Sequence, residues 1–389
     1  MAKIPRVIVL FPFAPGILRG IARYSRLNGP WEFYRPVPYY RERVSRQKSL
    51  QRMREYHADG IIAHVHSEKE ARELIPEGTP AVVSHHCGKA IEGMASIVGD
   101  DVQTGRIAAE YLLNRGFRRF AYCGFADELY WSRDRREGFV RRLARGGFQA
   151  YVYKQPQPAV KRLWENEQNI MADWLRLLPK PIGLLACNDD RGREVIDACR
   201  IAGIYVPEEI AVLGVGNDEM VCQLYDPPMS SIITNSEMAG YEAAELLARL
   251  MAGNKLSNQK IVIHPTHVIT RRSTDILAIE DREVAEAMRF IQQHSKEAIQ
   301  VRDVVDSVAV SRRALERRFS AVLNRSINEE IRRIRTETIC RMLKETNLSV
   351  SQIASALGFV SLDHISRFFR TKMGLSPLAY RKKVLGNGK

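Results

Sequence analysis

The stretch "VSRRALERRFSAVLNRS", Val310–Ser326, places four arginines within seven residues, Arg312, Arg313, Arg317 and Arg318. Ala314, Leu315, Phe319, Val322 and Leu323 meanwhile recur at helical spacing and form one apolar stripe. A helix of this kind holds itself to a core by the stripe and presents its positive charge outward.

Working outward, the pattern occurs twice. "VVDSVAVSRRALERRF" is followed by "IASALGFVSLDHISRFF". Leu315 matches Ile365 and Phe319 matches Phe369 at an offset of 50, while Val305 matches Ala354 and Val308 matches Leu357 at 49, so the second turn is one residue longer. Each copy reads as a short helix, a tight turn (Ala309 or Gly358) and a second helix with a serine N-cap, Ser311 or Ser361. This is helix-turn-helix spacing. A small residue in the turn lets two short helices cross closely, and the front of the second is left free to enter a major groove.

The charge agrees with that reading. The chain of 389 residues carries a net charge of +14, and residues 281–389 hold 21 Lys+Arg against 12 Asp+Glu, a net +9. Such an excess favours an anionic partner such as nucleic acid. With 45% hydrophobic and 27% charged residues, the chain has the material for two or three folded cores. Its six cysteines are scattered without a CxxC pair, which reads as reduced thiols in a cytoplasmic protein. The opening "MAKIPRVIVLFPFAPGIL" has a basic start and an apolar run. However, Pro12 and Pro15 interrupt the run, Arg19 and Arg23 follow, and no A-x-A site is well placed, so Val7–Phe11 reads as a buried first strand. No stretch approaches the apolar length of a membrane span.

The first 275 residues alternate short apolar runs ("RVIVLF", "GIIAHV", "PAVVSH", "FAYCGF", "IGLLAC", "IAVLGV", "SIIT") with helical patterns such as "TGRIAAEYLLNRG". That alternation implies a parallel sheet covered on both faces, with ligands bound at the carboxyl ends of its strands. "KIVIHPTHVITRRST" reads as one closing strand. The expected division is an α/β unit at residues 1–277 and an all-α unit at 278–389.

Two family resemblances follow. Residues 283–385 resemble the AraC-type DNA-binding domain: "GFVSLDHISRFFRTKMGLSPLAYRKK" is close to its most characteristic stretch, and "SINEEIRRIRTETICRML", with Arg335, resembles the helix linking its two modules. Val305 and Thr338 or Ile339 depart mildly, standing where that family has smaller residues. On the first recognition helix, Arg312, Arg313, Glu316 and Arg317 are expected to face DNA, with Arg313 and Arg317 reading base edges, since arginine reaches guanine O6 and N7 bidentately. Leu362, Asp363, His364, Ser366 and Arg367 occupy the equivalent, less basic face of the second.

The α/β part resembles the LacI-type effector-binding domain. "SIVGDDVQTGRIAAEYLLNRGFRRFAYCG", "WSRDRREGF", "LLACND", "IAVLGVGNDEM" and "SSIIT" follow in that family's order, and the LacI-type DNA-binding headpiece is missing. The resemblance implies two lobes like those of periplasmic sugar-binding proteins, with a small sugar between them. Carried over by motif, the ligand candidates are Asp100, Arg133 or Arg135, Asn188 with Asp189, Asn217 with Asp218, and Thr234. Trp131 and Phe13 are candidates for stacking on a sugar ring. Other readings stay open: the acids could cap helices, the arginines could form structural ion pairs, and Trp131 could be core. Gly216 stands where related domains often place an aspartate.

A sugar-type domain followed by an AraC-type domain resembles the order in xylose-operon regulators. It implies a transcription regulator, not an enzyme, that activates sugar catabolism genes. The expected partners are double-stranded DNA, RNA polymerase, a second copy of the chain as a homodimer, and a small sugar, with D-xylose the guess from architecture. The alternative is a regulator whose cleft binds a non-sugar metabolite or nothing. His85-His86-Cys87 is the best metal-like cluster, but it lacks a second pair at ligand spacing, so no metal or cofactor is expected.

Overall fold

The computed structural model describes residues 4–11, 14–34, 55–85, 91–125, 129–156, 164–254, 259–276, 279 and 281–385. Phe13, His86 and Cys87 lie outside the described residues, as do positions 277 and 278, where the two units were expected to divide.

The first sheet holds β1 (Arg6–Leu10), β2 (Glu32–Tyr34), β3 (Gly60–Val65), β4 (Ala81–His85) and β5 (Ala95–Gly99). The second holds β6 (Phe120–Cys123), β7 (Ala150–Val152), β8 (Ile182–Ala186), β9 (Ile210–Gly216) and β10 (Ser230–Thr234). Two late strands, β11 (Lys260–Ile263) and β12 (Pro265–Ile269), join one sheet each. The orders are β11-β5-β4-β3-β1-β2 and β12-β10-β9-β8-β6-β7. All pairings are parallel except β10 with β12. Separate clusters of aliphatic and aromatic side chains cover the two faces of each sheet.

The expected single closing strand is therefore two strands in different sheets. His264 separates them, and Pro265, which has no N–H to donate, opens the second. Among the described residues the chain crosses between the lobes three times, after β5, after β10 and at His264. Asp100, Asn235 and His264 are tied together at these crossings: the Asp100 N–H donates to the Ile263 carbonyl (2.9 Å), the His264 N–H to Asn235 Oδ1 (2.7 Å) and the Asn235 N–H to the His264 carbonyl (3.0 Å).

In each lobe two helices cross with backbones touching. Helix Pro15–Asn28 packs on Ser236–Met251, and helix Asp101–Asn114 on Tyr130–Ala144. Glycine makes the approach possible. A Cβ on Gly20 would stand 2.0 Å from the Glu237 carbonyl oxygen, and one on Gly138 would stand 1.9 Å from that of Val102.

From Arg282 onward the described chain is helical. Helix Ile327–Glu345 is shared by two small cores. Its Ile327, Ile331 and Ile334 pack with Leu315, Phe319 and Leu323, and its Ile339 and Leu343 pack with Ile353, Ile365 and Phe369. Where the two parts of the chain meet, Arg325 Nη2 donates to Asn114 Oδ1 at 3.1 Å. A cavity of about 430 Å³ is lined by residues of both parts, Arg115, Asp275, Ile276, Ala285, Arg289, Gln292 and Gln293.

Candidate effector cleft and nucleic-acid interface

Helix Asp101–Asn114 begins at the end of β5, where two adjacent aspartates have different tasks. Asp100 is the N-cap, accepting from the Gln103 N–H at 3.4 Å, and its Oδ2 lies 3.1 Å from His264 Nδ1. Asp101 is buried, and its Oδ1 accepts from Arg135 Nε at 2.8 Å. The other oxygen, Oδ2, is buried and has no hydrogen-bond partner among the described residues. Gly99 leaves it room, since a Cβ there would stand 2.5 Å away. Burial pushes the Asp101 carboxyl above the usual carboxylate range, and Arg135 offsets only part of that. Burial is the largest single influence on Arg135 and works against its charge, but the Asp101 carboxylate together with Cys187 and Tyr122 raises the guanidinium above its ordinary value.

Arg135 also donates to the Cys187 carbonyl at the end of β8 and lies 5.2 Å from the Trp131 ring centroid. Trp131 meets Phe125 edge-on at 6.0 Å. His85, at the end of β4, lies 6.4 Å from the Tyr130 ring, so the two lobes approach each other here. A cation, a buried carboxylate and an indole that packs on a core of the second lobe thus lie together near the point where the lobes approach.

The other candidates are placed as follows. Arg133 is half exposed and pairs with its neighbour Asp134 at 3.0 Å. Asn188 caps helix Asp189–Ala202, its Oδ1 taking the Arg191 N–H at 2.9 Å. Among the described residues its side-chain N–H groups have no partner. Asp189 is spent internally: it accepts from Ser231 Oγ (2.5 Å) and from the Asp218 N–H (2.7 Å), clamping three loops together. Asp218 caps helix Glu219–Leu224. Asn217 has φ +53°, and its Oδ1 accepts from Arg271 Nη2 at 2.8 Å. Thr234 ends β10 opposite Pro265. Gly216 has φ +124°, a conformation L side chains rarely adopt, so a side chain there would be strained.

Asp101 was missed among the ligand candidates, yet it is the acid that meets Arg135. The spacing holds a signal for Arg135 over Arg133 as the neighbour of Trp131. Trp131 and Arg135 are four apart on one helix face, whereas Arg133, two residues on, points elsewhere.

The nucleic-acid interface is built from two capped helices. Ser311 caps Arg312–Leu323 and Ser361 caps Leu362–Met373. Leu315, Phe319, Ile365 and Phe369 are fully buried and hold both helices to their cores. On the first, Arg312 Nε is tied to Glu316 at 2.9 Å, and Arg318 turns back to Glu283 at 3.0 Å. Arg313 and Arg317 are exposed and without ion pairs among the described residues. On the second, Leu362, Asp363 and Arg367 are exposed, Ser366 is half-buried, and the exposed His364 is held against Phe359 at 5.3 Å. Arg335 fastens this module, donating to the Leu357 carbonyl at 2.7 Å and lying 4.4 Å from the Phe359 ring centroid.

A two-lobed cleft followed by two helix-turn-helix modules defines a DNA-binding regulator of transcription with an effector domain. Residues 109–274 match the model of a periplasmic binding protein-like domain, and residues 304–383 match that of a helix-turn-helix domain. The chain is 30% identical over 371 residues to the xylose operon regulatory protein of Escherichia coli K12, covering 94% of this chain and 93% of that one. It is also 30% identical over 328 residues to the xylose operon regulatory protein of Haemophilus influenzae, covering 83% and 84%. The solved structure of the xylose-binding transcription activator xylR superposes with a TM-score of 0.60 at 27% identity, covering 98% of this chain and 99% of that one. The chain belongs to the family of xylose operon regulatory proteins, AraC-type regulators with a periplasmic-binding-protein-like domain in front.

Among the described residues no helix is long and apolar enough to cross a membrane, and no three metal-ligating side chains gather.

Proposed function

We propose that this regulator activates sugar catabolism genes and is controlled by a small sugar, an aldopentose with D-xylose the first choice, bound between the two lobes. Residues 1–277 form the effector domain and 278–389 the DNA-binding domain. The protein works in the cytoplasm as a homodimer on repeated DNA sites, and RNA polymerase is its partner at the promoter. The observation that carries the reading is the Asp101–Arg135–Trp131 cluster at the cleft. It offers charged hydrogen-bonding groups for hydroxyls beside an aromatic face for the C–H side of a ring. The relatives named for xylose set the choice of sugar.

The test is thermal unfolding of the full chain against aldopentoses and aldohexoses. A ligand that binds only the folded state raises the midpoint by mass action. D-Xylose is expected to raise it with concentration more than its epimers do. No shift with any sugar would overturn the sugar reading and leave the DNA-binding assignment intact.

A further inference from the structure

The two modules align at an offset of 50 along their recognition helices, so Val360 corresponds to Val310, Leu362 to Arg312 and Asp363 to Arg313. Val310 is half-buried and packs on its module's core. Val360, the same residue at the same place in the motif, is 92% exposed.

The extra residue in the second turn accounts for the difference. Phe359 takes the inward place and is 8% exposed, with Phe368 edge-on at 5.4 Å and the Arg335 guanidinium at 4.4 Å. The valine that follows is pushed out of the core. Leu362, the first residue of the helix and 49% exposed, stands just beyond the cap serine. Two bare aliphatic side chains thus flank Ser361 at the helix N-terminus, the end that meets base edges in helix-turn-helix docking. No positive charge lies on this end before Arg367. In the major groove the apolar feature of the base edges is the thymine C5-methyl group.

We propose that Val360 and Leu362 read thymine methyl groups, making the second module a reader of A·T pairs beside a first module whose Arg313 and Arg317 read guanine. The inference rests on the assignment of this chain as a DNA-binding regulator. Each protomer's site then has two unlike halves about one helical turn apart, one requiring guanine and one requiring thymine.

The test begins by selecting binding sites from a randomised duplex pool with the full chain, with and without D-xylose. Each thymine of the selected site is then replaced by uracil, which keeps every hydrogen-bonding group and loses the methyl. One or two replacements, all in one half, should weaken binding about fourfold each, the worth of one buried methyl group. The V360S/L362S double variant should lose that sensitivity. It should keep its unfolding midpoint and its dependence on guanine in the other half, which separates lost readout from lost fold. Uracil without effect anywhere, or an equal effect in the double variant, would overturn the proposal. An unchanged site preference in the double variant would assign the aliphatic pair to a protein contact instead. Failure to enrich any site would overturn both the proposal and sequence-specific binding.

Discussion

Asp100 Oδ2 and His264 Nδ1 stand 3.1 Å apart, and the two residues belong to different crossings between the lobes. Together with Asn235 they form a hinge in which an N-cap is also a cross-strand tie. Asp100→Ala is expected to cost about 1 kcal/mol from the lost cap, lowering the midpoint of thermal unfolding by a few degrees. His264→Ala should cost less, because the cap survives. Both should change effector affinity, as calorimetry would show, because both loosen the hinge.

Arg317→Ala should relax base preference at one position by about 1–3 kcal/mol, read by competition between site variants. Arg312→Ala should weaken binding evenly across sequences, because its guanidinium is already engaged with Glu316. Equal loss of selectivity in the two variants would contradict the division of tasks drawn here.

Gly138→Ala places a methyl group 1.9 Å from the Val102 carbonyl oxygen, where only a backbone shift can relieve the clash. Overpacking of this kind costs about 1–3 kcal/mol, and denaturant titration should show it. Gly147→Ala is a suitable contrast. Its strain comes from a positive φ of 78° with nothing nearby to clash, so the helix crossing stays intact.

Arg135→Ala strands the buried Asp101 carboxylate, and breaking such a pair costs about 3–5 kcal/mol. The pH dependence has a definite sign. Burial already raises the folded-state value of Asp101 above the ordinary 3.8. Such a group favours the folded state fully below that value, and the gain is lost as pH rises through the folded value. Removing Arg135 raises the folded value further, so the variant should lose more stability than the parent as pH climbs from the acid side. Unfolding curves over a pH series check this. The variant should also lose its response to the effector.

Much of this was legible in the chain itself. The alternation of β-branched runs with helices led to a parallel sheet covered on both faces, and the doubled motif led to two recognition helices, because both patterns are local and periodic; that the sheet is two lobes came from the LacI-type resemblance. The division of labour between Asp100 and Asp101 was not legible, since adjacent identical residues differ only in where the helix starts. Nor was the splitting of "KIVIHPTHVI" into two sheets: a strand's partner is a long-range choice, and only Pro265 hinted at the break. The exposure of Val360 was hidden for a related reason. It depends on Phe359 winning a core position in competition with its neighbour.

Asn114→Ala cuts the hydrogen bond to Arg325 while leaving Arg325 its ion pair with Glu330 at 3.0 Å. The variant should bind DNA as the parent does without effector and respond less when effector is added, as titrations with and without sugar would show.

Helix Asp101–Asn114 therefore has its first residue against Arg135 in the cleft and its last against Arg325 of the DNA-binding part. A rod that touches Arg135 at one end and the DNA-binding part at the other has no preferred direction of signalling. If the effector changes affinity for DNA by some factor, DNA must change affinity for the effector by the same factor. Operator DNA is in that sense a second effector. A copy of the chain sitting on its promoter senses sugar at a different threshold from one free in solution, and the size of the gap between those thresholds is the whole of the regulatory coupling.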